Sequence, residues 1–416
     1  MTGPTVATGP TGPRATTVLA ERGAFGRLPE LLDGRRVLVV ASKGTLHRTD
    51  AESWLPAAAE VFSEFHPNPT VGQAVEAAGF RHAWGADLVL GMGGGSALDV
   101  AKAAALLPKD YEDALSVIAE GPVRDRRAEL VLVPTTAGTG SEVTRFATLY
   151  QGHRKVSLDT PQAKADLAIV DPALTDSCPA GLTWTCVFDS LAHAVESLWS
   201  VRSTPESRGH AVAALRLLVP ILRHGDELPG RAERDALSRA ATLAGRAIDI
   251  TRTTAAHALS YPLTARLGIP HGLACALNLT WLIPLVAGAR EAGRITDPRG
   301  PEQPAAALET LATLFGVAAD EAGTALEHVL ARRVGAGTGL WPEPAPDAPS
   351  VDELVREGLC SDRMAGMPVR LDPDEVRAGL ARSLGRHGLG GPGPEGRPGP
   401  GVHPSGSRTA AEVSHA

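Results

Sequence analysis

The sequence predicts two domains of different texture, an N-terminal α/β domain on an open parallel sheet and an all-α C-terminal domain. Three observations carry this. Up to about residue 180, short valine- and leucine-rich runs alternate with alanine-rich helical stretches. Two of those runs end in turns dense in glycine or hydroxyl residues. Beyond Leu182 the chain changes to long alanine- and leucine-rich stretches with few β-branched runs. At 416 residues, 43% hydrophobic, it has enough apolar chain for two cores.

Residues 1–14 lack the basic start and apolar run of a signal peptide and read as a flexible leader. RRVLVVAS (35–42) and ADLVLGMGGGS (86–96) are apolar runs of the kind a parallel sheet buries on both faces. Alanine-rich helical patterns cover 49–62 and 70–83 between them, and SALDVAKAAALL (96–107) is strongly helical. ELVLVPTTAGTGSE (129–142) repeats the strand-into-turn pattern, which makes 15–180 one α/β domain with a nucleotide site expected at the carboxyl ends of its strands. The shift near Pro179–Gly181 opens a helical domain, 181–387, with helices expected at 185–200, 206–223, 232–250, 253–266 and 304–331. GAGTGLWPEPAPDAPS (335–350) reads as a surface loop and 388–416 as a disordered tail, because neither can bury a core.

Composition excludes several classes. A formal charge of −7 leaves no basic surface for nucleic acid beyond the short Arg124–Arg127 stretch, itself interrupted by Asp125. The charge-free segment between Arg266 and Arg290 is long enough to span a bilayer, but Pro270, His271, Asn278 and Pro284 mark it as a buried helix of a soluble core. Neither membrane nor nucleic acid is expected as a partner. Cysteines at 178, 186, 275 and 360 show no paired spacing, which suits a reducing cytoplasm and argues against a cysteine-based zinc site.

The residues that carry chemistry come in three groups. Asp189 and His193 in DSLAH stand at i and i+4, one turn apart on one helix face, and His257 in TTAAHALSYP and His271 in GIPHG lie in apolar, low-charge surroundings where an unpartnered imidazole is costly. Three imidazoles and a carboxylate are a plausible set for one divalent metal. Gly93-Gly94-Gly95-Ser96, between strand and helix, lets backbone amides and a helix N-terminus approach a pyrophosphate, although the spacing is not GxGxxG. Pro134–Glu142 is a second such turn, and the two together favour a nucleotide over a plain strand-to-helix connection.

With these in place the chain resembles the iron-containing alcohol dehydrogenase family across roughly residues 15–385. The resemblance rests on FHPNPT (65–70), GGGSALDVAK (93–102), PTTAGTGSE (134–142), KVSL (155–158), AIVDPAL (168–174), FDSLAHAVE (188–196) and the two later histidines. It implies the dehydroquinate synthase-like fold, a dinucleotide-binding domain and a helical domain with a divalent metal in the cleft between them. The ligand positions fall on Asp189, His193, His257 and His271. Carried over residue by residue, Ser42, Asn68, Gly94, Gly95 and Ser96 belong to the cofactor side, Thr135, Thr136 and Thr139 line the path to the nicotinamide, and Asp99 and Lys155 stand near nicotinamide or ribose. The implied cofactors are Fe(2+), with Zn(2+) open because imidazole and carboxylate suit both, and NADH or NADPH. A homodimer or higher homo-oligomer is the expected assembly.

Two departures from the family pattern bear on chemistry. Ser42 stands where many relatives carry an aspartate for the adenosine ribose, which removes repulsion against a 2′-phosphate, and Lys43 could attract one. Tyr261 stands where many relatives carry another histidine, so proton delivery passes to a phenol or to water. Arg252, five residues before His257, with Arg202 and Arg208 beyond the Asp189–His193 helix, suits an anionic substrate, although surface solvation is the common fate of such arginines. RTTAAHALSYPLT and SLWSVRSTPESR resemble the branch that reduces phosphonoacetaldehyde to 2-hydroxyethylphosphonate in phosphonate antibiotic biosynthesis. The competing readings are a reductase of another small aldehyde, a glycerol-type dehydrogenase, a dehydroquinate synthase-like lyase, a metal-dependent hydrolase and a non-catalytic cofactor-binding protein.

Overall fold

The computed structural model describes residues 15–120, 126, 128–152, 154–224, 228–335, 340–342 and 348–386. The expected leader, the expected tail and most of the 335–350 loop lie outside these residues.

The N-terminal strands are β1 (Thr17–Leu19), β2 (Val37–Ala41), β3 (Ala59–Phe62), β4 (Leu88–Gly93), β5 (Glu129–Pro134), β6 (Phe146–Gln151), β7 (Arg154–Asp159) and β8 (Leu167–Ile169). The main sheet runs β1-β8-β5-β4-β2-β3 with every pair parallel, and β6 and β7 form a separate antiparallel hairpin. β2 and β4 are buried along their whole length, as strands covered on both faces must be. The chain leaves β2 toward β3 at one edge and returns to β4 on its other side, so the direction of winding reverses between β2 and β4. A crevice opens at the carboxyl ends of strands at such a switch point. The turns after β2 and β4 therefore face the same space.

Helices α1 (Leu28–Leu32), α2 (Lys43–Arg48), α3 (Val71–Trp84), α4 (Gly95–Leu106) and α5 (Tyr111–Glu120) accompany the sheet. The helix expected over 49–62 does not form. A 3-10 turn covers Ala51–Ser53, Pro56 follows, and Ala59–Phe62 instead pairs in register with Val37–Val40 as β3. Pro56 cannot donate within a helix, and a parallel partner offers the AEVF backbone the hydrogen bonds it needs.

From Ala180 the chain is helical: α6 (Ala180–Trp199), α7 (Pro205–Arg223), α8 (Arg231–Thr251), α9 (Ala255–Leu267), α10 (His271–Ala287), α11 (Glu302–Phe315), α12 (Ala322–Gly335), α13 (Val351–Leu359) and α14 (Pro373–Gly385). The single stretch expected at 304–331 is two helices, because α11 ends at Gly316 in a left-handed cap. One apolar core unites these helices, with Trp184, Phe188, Leu191, Leu259 and Leu273 buried in it. α10, the charge-free segment, is buried against α6, α9 and α12. No helix among the described residues is long and apolar enough to cross a membrane.

The two halves meet where the 134–142 turn reaches α8. There Thr242 Oγ1 donates to the buried Glu142 carboxylate at 2.8 Å. Ser190 Oγ of α6 donates to Gly138 O at 2.8 Å, which ties the ligand-bearing helix to the same turn.

Candidate active site

A cavity of about 550 Å³ lies between the sheet's carboxyl edge and the helical half. Such a volume accommodates a cofactor or substrate. Its floor is the β4–α4 turn. α4 starts at Gly95 with Gly94 as N-cap and no side chain closing its first amides, which leaves them free for an anion. A Cβ at Gly95 would stand 2.8 Å from Thr139 Cγ2, so glycine lets the two turns close on each other without displacing that side chain. Ser42, Asn68, Gly94, Gly95, Ser96 and Asp99 all reach the wall, as do Thr135, Thr136, Thr139 and Lys155. Ser96 Oγ also accepts from Asn68 N at 3.4 Å.

Asp99 is fixed from beneath. It accepts from Ser141 Oγ at 2.8 Å and Thr148 N at 2.9 Å, and burial raises its pKa against the pull of Lys102. Lys102 is fully buried and donates to Ser141, Thr144 and the Phe146 carbonyl, so it serves the floor rather than the cavity.

The four expected metal ligands converge at the other end. α6 carries Asp189 and His193 one turn apart, α9 brings His257 and the first residue of α10 is His271. From Asp189 Oδ1 to Nε2 of His193, His257 and His271 the distances are 3.6, 3.4 and 3.7 Å. Bonds of about 2.0–2.2 Å at tetrahedral angles separate donors by roughly 3.3–3.6 Å, so these distances fit a single ion. Asp189 Oδ1 and His257 Nε2 are buried and lack a hydrogen-bond partner, an arrangement costly to leave uncompensated and natural for atoms aimed at a metal. The donor set therefore fits a divalent cation, iron or zinc.

Orientation comes from groups behind the ligands. Glu196, seven residues after Asp189 on α6 and fully buried, bonds His257 Nδ1. Its Oε1 accepts from the backbone amides of Thr254 and Ala256 at 3.0 and 2.8 Å and from Thr254 Oγ1 at 2.7 Å, capping α9 from a neighbouring helix. His271 Nδ1 meets Ser260 Oγ at 3.2 Å. Such partners fix ring orientation and leave Nε2 for the ion.

Electrostatics agree with these roles. Burial would raise the Asp189 pKa, but His193, His257 and His271 together hold it well below the usual carboxylate range. Burial pushes His193 down to about 4, so its ring is neutral near pH 7. His257 is raised despite burial, mainly by Cys275 and Glu196. Burial alone would raise Tyr261, yet Lys155, its Nζ 3.7 Å from the ring centroid, helps bring the phenol down to about 8. Tyr261 stacks on His271 at 6.0 Å between ring centroids and lines the cavity.

The substrate-side arginines are distributed differently from the sequence expectation. Arg202, Arg208 and Arg252 do not form part of the cavity wall, whereas Arg363 does. Arg208 donates to Ser203 Oγ at 3.3 Å. Arg252 pairs with Asp159, and its pKa is lowered by burial and by Arg363, Arg145 and Arg202 nearby. Arg145, Arg252 and Arg363 all lie within 5.4–5.8 Å of the Phe146 ring, itself on the wall. Arg252 closes α8 at φ 59 and ψ 178, a region that only glycine enters without strain, at a cost of about 1–3 kcal/mol. Lys43 pairs with Glu64 at the surface, 2.9 Å away, while Arg48 stands on the cavity wall with Ser42 and Thr45.

Glu196, Arg363 and Arg48 escaped the sequence reading. Glu196 had a signal, since two helical turns past Asp189 return to the same face. Arg363 had none, lying in a 3-10 turn more than 90 residues from the nearest ligand.

A parallel sheet with a free helix N-terminus at its switch point, facing a cluster of potential metal ligands across a cavity, is the arrangement of a dinucleotide-binding domain set against a candidate metal centre. Comparison with known proteins gives the family. Residues 15–172 match the iron-containing alcohol dehydrogenase model and 183–340 the C-terminal model of the same family. The chain belongs to the iron-containing alcohol dehydrogenase family. It is 37% identical to a phosphonoacetaldehyde reductase of Streptomyces viridochromogenes over 77% of this chain and 81% of that protein. It is 31% identical to a sulfoacetaldehyde reductase of Bilophila wadsworthia over 52% of this chain and 56% of that one. Among solved structures, sulfoacetaldehyde reductase from Bifidobacterium kashiwanohense in complex with NAD+ superposes with a TM-score of 0.74 at 27% identity, covering 88% of this chain and 96% of that one.

Proposed function

We propose that this chain reduces a small aldehyde with an anionic end, phosphonoacetaldehyde foremost, to the corresponding alcohol with NADH or NADPH, in phosphonate biosynthesis in the cytoplasm. The observation that carries the reading is Arg363 on the wall of the cavity that holds the ligand cluster, backed by Arg252 and Arg145 around Phe146. Two relatives reinforce it, each named for a short aldehyde bearing a phosphonate or a sulfonate. A guanidinium fork matches either group.

When bound, the metal supplies Lewis-acid polarisation of a carbonyl and the dinucleotide supplies hydride. The chain's own residues do the rest. Gly94, Gly95 and the first amides of α4 hold the pyrophosphate, and Thr135, Thr136 and Thr139 lead toward the ligand cluster. Arg363 fixes the anionic end so that the carbonyl stands among Asp189, His257 and His271. Tyr261, a phenol acidified to about 8 beside His271, donates the proton that completes the alcohol. Arg48, Ser42 and Thr45 form a carboxylate-free corner that tolerates the 2′-phosphate of NADPH. We read the active assembly as a homodimer or higher homo-oligomer.

The test is NAD(P)H oxidation with phosphonoacetaldehyde against uncharged aldehydes of similar size. A preference for the charged substrate is expected, and a preference for the uncharged ones would remove the phosphonate assignment. Arg363→Met should lose about 1.5–3 kcal/mol of charge-assisted binding, roughly 10–150-fold in kcat/KM for the charged aldehyde alone. Equal losses for both substrates would give Arg363 a structural role.

Proton donation gives a pH signature. The acid must be protonated, so the rate of reduction should fall as pH rises through about 8. In Tyr261→Phe this descending limb should vanish from the pH profile of kcat/KM; its persistence would place the donor elsewhere.

A further inference from the structure

This inference rests on the metal site above and concerns its composition. Cysteine spacing in the sequence points away from thiolate ligation. The structure nevertheless seats Cys275 in the ligand cluster. His271 and Cys275 are i and i+4 on α10, the spacing that Asp189 and His193 have on α6, so each helix presents a pair of donors from one face.

Cys275 is fully buried, and its Sγ lies 3.9 Å from His271 Nε2. Sγ and the donor atoms of Asp189, His257 and His271 all lie within 4.8 Å of one another, a group that leaves out His193. A metal–sulfur bond of about 2.3 Å beside metal–nitrogen bonds of about 2.0–2.1 Å separates the two donors by roughly 3.5–3.7 Å. The His271–Cys275 pair needs only a few tenths of an ångström of closure, and the wider separations in the group, up to 4.8 Å, shorten further as an ion draws the donors in. Independently, the buried Asp189 Oδ1 and His257 Nε2 have no hydrogen-bond partner although they stand 3.4 Å apart, which marks a common point that a cation would satisfy.

We propose that Cys275 Sγ is an inner-sphere donor to the metal beside Asp189, His257 and His271, and that it biases the site toward zinc over ferrous iron. The physical reason is ligand softness: thiolate favours zinc, whereas a site of imidazole and carboxylate alone serves either ion. Ligation takes the thiolate form, so the thiol proton passes to solvent as the ion binds.

The test uses the full-length chain stripped of metal and reloaded with cobalt(II), whose spectrum reports thiolate ligation as an intense near-ultraviolet charge-transfer band. The wild-type chain should show this band. Cys275→Ser, nearly isosteric, should bind cobalt through the remaining ligands, keep the weak visible bands and lose the charge-transfer band, with a reduced preference for zinc in competition with ferrous iron. Cys275→Ala repeats the measurement should the serine variant misfold. Stoichiometric cobalt without the band in the wild-type chain, or a band that survives in either variant, overturns the proposal. No cobalt binding by the wild-type chain would instead overturn the metal site, and with it this ligand.

Discussion

Asp189→Ala is expected to strip the metal and reduce turnover by about 10³-fold or more. The estimate follows from a Lewis acid contributing several kcal/mol to the transition state, at about 1.4 kcal/mol for each factor of ten. Asp189 is the carboxylate of the set and the atom all three histidines face, within 3.4–3.7 Å. Without it, the site loses its anionic ligand and the three histidines lose the carboxylate they all face. The proposed dinucleotide cradle, at the opposite end of the cavity, keeps Gly94, Gly95 and the uncapped amides of α4. Metal analysis after gel filtration and a fluorescence titration with NADH and NADPH should therefore diverge, with metal lost and dinucleotide binding kept. Retained metal with retained turnover would remove Asp189 from the chemistry. Loss of dinucleotide binding as well would point to a folding defect.

Gly272→Ala is expected to be nearly as damaging although no polar group changes. A Cβ at Gly272 would stand 1.9 Å from Thr185 O, 2.8 Å from Asp189 N and 3.0 Å from Asp189 Cβ. These are mostly backbone atoms of α6, so no rotamer change relieves the overlap and the two helices must part. Overpacking of this kind costs about 1–3 kcal/mol and occasionally more. It also acts on the site, because His271 is the residue before Gly272 and Asp189 lies on the opposed helix. Their 3.7 Å separation has to widen. Metal affinity should fall at least about tenfold, on the scale seen when supporting residues of a metal site are displaced, together with a lower unfolding midpoint. Wild-type metal affinity in a destabilised Gly272→Ala chain would show that helix spacing and ligand geometry are uncoupled.

Local signals in the sequence were strong where one element holds the whole pattern. β2, β4 and β5 were legible because a strand buried on both faces is a continuous apolar run. The Asp189–His193 pair was legible because i and i+4 share a helix face. The 49–62 stretch misled for the opposite reason. Its alanines are compatible with a helix, and only the parallel partner Val37–Val40, together with Pro56, makes Ala59–Phe62 a strand. Arg363 and Cys275 were silent for a similar reason, since nothing in their own neighbourhoods reveals that a 3-10 turn or an α10 thiol faces the cavity or the ligands.

By itself the sequence pointed to the order of the α/β and helical halves, the two turns offered to a dinucleotide and the four candidate ligands, because each depends on periodicity or residue chemistry within a short window. Only the tertiary structure decided which charges reach the cavity, placing Arg363 and Arg48 on its wall and leaving Arg202, Arg208 and Lys43 outside it. It also decided what surrounds the candidate ligands, Glu196 capping α9 while bonding His257, and Cys275 beside His271. The physical reason is range. Helix and strand patterns are set by neighbours a few residues apart, whereas a side chain's access to a cavity depends on how distant helices pack, as at Gly272 of α10, where a Cβ would stand 1.9 Å from Thr185 O of α6.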